Sequence, residues 1–153
     1  LEVLLGFLLI AIAAVAIGGR IGENIRGYRF RSDLKRLSSE LKTFRQLAMH
    51  TQSDMRVCLR KEKNGWVLEG ICVEQPETFH FSSLHLGNFE LTVDRKNIPL
   101  MMFDFFSTGE IYPHATLFFC MDGDELSPLN EAWEIPRIFH WVEKESIETF
   151  ING

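Results

Sequence analysis

"LEVLLGFLLIAIAAVAIGG", Leu1 to Gly19, constrains this chain more than any other stretch, because it holds no charged residue between Val3 and Gly19. A helix of roughly 17 residues rising about 1.5 Å each is about 25 Å long, close to the thickness of a bilayer core. Such a run spans. Glu2 stands at its head, and an ionised acid at membrane depth costs about 2.5–3.5 kcal/mol near the middle of a helix and less near an end. A cationic partner is therefore implied for Glu2.

The flanks are those of an anchor. A secretory signal has a basic n-region, an apolar stretch of about 7–15 residues and a small-residue cleavage site. Here an acid leads, and Arg20, Arg26, Arg29 and Arg31 follow. Leu1 is no initiator, so a preceding segment is expected. The basic stretch Arg20–Arg45 is diluted by Glu23, Asp33 and Glu40, which leaves orientation open on charge alone.

With 153 residues and 46% hydrophobic content, the chain has room for one anchor plus one domain of about 100 residues. A net charge of −5 gives no global case for nucleic-acid binding. Leu34, Leu37, Leu41, Phe44 and Ala48 repeat at alternating three and four, predicting an amphipathic helix from about Asp33 to His50. Gly18, Gly19, Gly22 and Gly27 interrupt its junction with the apolar run, and at about 1 kcal/mol each against Ala they predict a bend or a melted turn.

After Thr51 the period becomes two. "MRVCLR" and "WVLEGICVE" flank "NG", predicting an antiparallel pair of Met55–Arg60 and Trp66–Glu74 that turns at Asn64-Gly65. Further strands are predicted in "TFHFS", "FELTV", "PLMMFDFF", "TLFFCM" and "AWEIPRIFHW". In the last, Trp133, Ile135, Phe139 and Trp141 share a face and Pro136 marks an edge or bulge. The expected fold is α+β: a long N-terminal helix packed on an antiparallel β-sheet or sandwich, divided as 1–19 (membrane helix), 20–52 (amphipathic continuation) and 53–153 (β-rich domain).

Chemistry is sparse. His50, His80, His85, His114 and His140 make no metal or catalytic set by spacing, and no nucleophile elbow or phosphate-cradling loop is present. Cys120 with His114 is a pair by neighbourhood alone. "DGDE", Asp122 to Glu125, clusters oxygen ligands for calcium without EF-hand spacing, the alternative being a solvated acidic turn. Phe79, Phe81, Phe103, Phe105 and Phe106 alternate as core residues do and lack interleaved cations for base stacking. Of three cysteines, Cys58 and Cys72 flank the hairpin and form a candidate disulfide, with buried free thiols as the alternative. No catalytic, cofactor or metal residue is assigned.

The apolar start, the stripe "LKRLSSELKTFRQLAMHTQSDMRVCL" and the "NGW" hairpin together resemble the type IV pilin-like superfamily, most nearly the H-type minor pseudopilins of type II secretion systems. The resemblance implies a leader cut by a prepilin peptidase before an N-methylated Phe-Thr-Leu-Leu-Glu start, of which Leu1 and Glu2 would be the end. It implies that Glu2 meets the N-terminal amine of a neighbouring subunit and sets axial register. Gly19, standing where major pilins often carry a kinking proline, suits a minor subunit. The implied partners are other major and minor pseudopilins, the inner-membrane secretion platform, the prepilin peptidase and secreted cargo, with no nucleic acid and no cofactor. The implied location is a single pass of the inner membrane with the domain in the periplasm. The alternative is a minor pilin of a type IV or DNA-uptake pilus.

Overall fold

The structure, a computed structural model, describes residues 1–77, 81, 83–135 and 139. A long helix, α1, runs unbroken from Glu2 to Thr51. The melted turn predicted at the glycines does not occur, and the helix is continuous through them. Gly18, Gly19 and Gly22 have no atom within 4 Å of an added Cβ, and Gly27 instead lies against Leu129. Glycine weakens a helix through chain entropy and keeps the backbone hydrogen-bond ladder, so well-formed turns on both sides carry α1 through. The helix ends at Gln52, which takes φ 54 and returns its backbone N–H to Ala48 O, a left-handed cap.

The predicted stripe is the face that packs: Phe30, Leu34, Leu37, Leu41, Phe44 and Ala48 are all buried. They meet two antiparallel sheets. The first has the order β3-β2-β1-β6-β7, built from β1 (Met55–Glu62), β2 (Gly65–Cys72), β3 (Leu84–Leu86), β6 (Leu100–Phe105) and β7 (Ile111–Tyr112). The second has the order β5-β4-β8-β9, from β4 (Phe89–Val93), β5 (Lys96–Asn97), β8 (Thr116–Met121) and β9 (Glu131–Glu134). This is the expected α+β arrangement. β3, β5 and β7 were not legible as strands, being only two or three residues long. "TFHFS", Pro136 and Trp141 lie outside the described residues, apart from Phe81, whose ring meets Phe44 edge-on at 5.2 Å.

The first hairpin forms one residue earlier than predicted. Glu62 pairs with Gly65, so Lys63 and Asn64 make the turn and Gly65, at φ 144, opens β2. Glycine is required there because a Cβ would run into the backbone oxygen of Leu86 on the neighbouring strand. Gly70 has a different role on the inner face of the same strand. An added Cβ would strike the Phe44 ring, so the missing side chain is the space that the helix's phenylalanine fills.

Aromatic residues join the layers. Trp66 of β2 stacks on Phe89 of β4 at 5.2 Å and donates its Nε1–H to Phe89 O at 2.8 Å. Phe89 contacts Phe30 of α1 at 6.4 Å and Phe119 at 5.7 Å, and Phe119 meets Trp133 at 4.4 Å. Helix and both sheets thus share one core.

Candidate functional site

The feature of this molecule most in need of an explanation is the first half of α1, which is left exposed. Residues 1 to 26 are exposed apart from a half-buried Gly6. They include Leu1, Val3, Leu4, Leu5, Phe7, Leu8, Leu9, Ile10, Ile12, Val15 and Ile17. Covering each such side chain is worth about 1.5–3 kcal/mol, so together they represent well over 10 kcal/mol of exposed apolar surface. Water is the wrong solvent for it. By length and composition α1 can cross a membrane, and the whole of its most apolar window is free of the β-domain. Glu2 lies in the first turn, where a carboxylate faces the positive end of the helix dipole.

The domain first reaches α1 at Arg26 and Gly27. Arg26 Nη2 donates to Asp122 O at 2.8 Å, and Leu129 closes on Gly27. About 35–40 Å of helix therefore projects beyond the domain, at about 1.5 Å per residue. Higher up, Asp33 Oδ2 accepts the N–H of Gly87 at 2.9 Å, and Arg45 Nε donates to Gly109 O at 3.1 Å. The loops of both sheets are thereby tied along the helix.

The candidate disulfide is not formed. Cys58 sits opposite Glu69 and Cys72 opposite Met55, three rungs apart, or about 10 Å along the strand. An odd offset also puts the two thiols on opposite faces, well beyond the roughly 7 Å that a disulfide spans between Cα atoms. Both are free, as is Cys120. Burial pushes the Cys58 thiol up, with Glu69 adding and Arg60 opposing. Burial likewise raises Cys120, with Glu90, Glu125 and Asp124 adding. Raised thiols are poor nucleophiles at neutral pH. His114 is exposed on the loop before β8, and the side chain within hydrogen-bond distance of Cys120 Sγ is Asn130, at 3.1 Å.

Asp122 to Glu125 forms an exposed turn, and among the described residues no group of three or more His, Cys, Asp or Glu side chains is placed to hold a metal. What the sequence did not reveal is that Asn130 organises this loop. Its Nδ2 donates to Asp124 O at 3.1 Å and Glu125 O at 3.0 Å, and its Oδ1 accepts the Met121 N–H at 2.8 Å. His80 and His140, and with them Phe79, fall outside the described residues. Phe103 and Phe105 are buried in the core, which disposes of a stacking surface there. Between α1 and β9 the described residues leave a groove of about 860 Å³, with Arg31, Lys35 and Lys42 on the helix side and Glu131 and Trp133 on the strand side.

No protein-family model, no curated protein and no solved structure matches this chain.

Proposed function

We propose that this protein is a pilin-like structural subunit, a minor pseudopilin placed near the tip of a type II secretion pseudopilus, which assists protein export. One observation carries the reading: a single unbroken helix is buried along one face by a β-domain over its second half and bare, apolar and headed by an acid over its first. That division supports a part that rests in the inner membrane by Leu1–Gly19, holds its domain in the periplasm and is later packed into a helix bundle. Neighbouring apolar helices then replace lipid with little loss, since both cover the same side chains.

Glu2 sets placement in this reading. A charge at about 4 Å from an ammonium interacts far more strongly in hydrocarbon than in water, although desolvation consumes much of the gain. The useful product is register and recruitment. The domain then contacts other subunits or cargo, and no turnover is assigned to it.

Cysteine pairs placed in the apolar run of this chain and of a candidate neighbour test the reading in intact membranes. Crosslinking and export should both fall at least tenfold on Glu2→Ala and survive Glu2→Asp. Unchanged crosslinking and export in Glu2→Ala would remove the role given to Glu2.

A further inference from the structure

Ile21, Ile25 and Tyr28 recur at intervals of four and three, on the side of α1 away from Gly27, Phe30 and Leu34. They are 51%, 46% and 75% exposed. Arg29 and Arg31 flank this stripe, and neither pairs with an acid among the described residues. Elsewhere on the chain, Leu126 is 94% exposed in a loop whose other exposed residues include Asp122, Asp124 and Glu125. One surface is apolar with cations at its edges. The other is apolar with anions.

The loop stands level with the upper end of the stripe. The Arg26–Asp122 hydrogen bond and the Gly27–Leu129 contact fix it beside Ile25 and Tyr28, with Ile21 about 7 Å lower along the helix. A bilayer deep enough to cover Tyr28 would have to take in three carboxylates as well, so the upper end of the stripe lies in water. Because loop and stripe are on different sides of α1, they cannot meet within one chain.

We propose that they meet between two copies: the loop Asp122–Leu126 of one chain seats Leu126 on the Ile21–Ile25–Tyr28 stripe of a second, with Glu125 and Asp124 against Arg29 and Arg31. The contact joins unlike surfaces, so each copy retains one free loop and one free stripe, and repetition gives a ring or an open helical array. It rests on α1 spanning the membrane, as in the reading above, and names the partner surface outside the bilayer. At least two copies stand side by side.

The test uses two differently tagged full chains expressed together in membranes, both Cys58→Ser, one with Ile25→Cys and the other with Leu126→Cys. Oxidation should give the mixed 25–126 dimer at least tenfold above the 126–126 pair. Arg29→Glu on the first chain should cut that yield at least fivefold, and Glu125→Arg on the second should restore it. A mixed dimer no more abundant than the symmetric one overturns the proposal. So does protection of Ile25→Cys from a water-soluble maleimide in vesicles carrying this variant at high dilution, which would place the stripe in lipid. Either failure leaves the Glu2 experiment untouched, because that one reads crosslinks inside the apolar run.

Discussion

Gly27 of α1 and Leu129 of the loop after β8 pack closely: a Cβ added to Gly27 would lie 2.7 Å from Leu129 Cδ1, so the leucine side chain would have to shift to admit it. This contact, with the Arg26 hydrogen bond beside it, decides where along the helix the β-domain begins and hence how much of α1 is left bare.

A large residue at this point should lift the loop. Gly27→Leu is expected to cost about 1–3 kcal/mol by overpacking, seen as a lowered Tm of the full chain in detergent. Leu129→Ala in the same chain should recover much of that loss, because the two substitutions share one space. Arg26→Ala, which removes only an exposed hydrogen bond to a carbonyl, should cost no more than about 1 kcal/mol.

Two glycines separate the entropic role from the steric one. Gly22→Ala meets nothing within 4 Å and should stabilise the isolated chain by up to about 1 kcal/mol through helix propensity. Gly70→Ala drives a methyl into Phe44, whose ring is already held edge-on by Phe81, and should destabilise by about 1–3 kcal/mol. Thermal unfolding followed by circular dichroism reads both, with opposite signs.

Asn130→Ala should loosen the acidic loop. The amide bridges Met121 with Asp124 and Glu125, so its loss should lower stability by about 1–3 kcal/mol and raise protease cleavage between Asp122 and Leu126. Asn130→Asp keeps the acceptor for Met121 and loses the donors, and should fall in between.

The thiols give a pH test. Oxidation of the folded monomer should produce no Cys58–Cys72 bond, read as an unchanged mass after alkylation in urea. Cys58 and Cys120 are raised by burial, so at pH 8 both should alkylate more slowly than a free cysteine and reach ordinary speed on unfolding. The linked stability is fully present below the unfolded thiol value of about 8.5 and declines as pH rises through the higher folded values, since the unfolded chain gives up its protons first.

Trp66→Phe should remove the N–H donated to Phe89 O and part of the stack between sheets. A loss of about 1–3 kcal/mol is expected, together with a fall in the tryptophan fluorescence change on unfolding.

Local rules were legible where one residue's neighbours in sequence are also its neighbours in space. The stripe Leu34 to Ala48 declared its buried face through spacing, and "FELTV", "PLMMFDFF" and "TLFFCM" declared strands through alternation. Between β4 and β5 the chain reverses at Asp94 and Arg95, at φ 49 and 68. The disulfide candidate failed because hairpin proximity says nothing of register, and one residue of register changes which face a side chain occupies. The melted turn expected at the glycines is absent because glycine lowers helix propensity without removing a hydrogen bond, and the turns on either side hold the ladder. Ile21, Ile25 and Tyr28 were visible letters, yet only the position of the β-domain shows that this face of α1 is left uncovered.

What the sequence determined by itself was the pair of solvents that the helix must serve, one apolar and one divided between a core and water, because hydrophobic periodicity is a local property of the chain. Tertiary structure alone decided the height at which the domain grips the helix, the pairing order of the described strands and the partnering of Asn130, Gly70 and Gly27. Those depend on contacts between residues far apart in the chain, where shape and hydrogen-bond geometry, and no local periodicity, select the match.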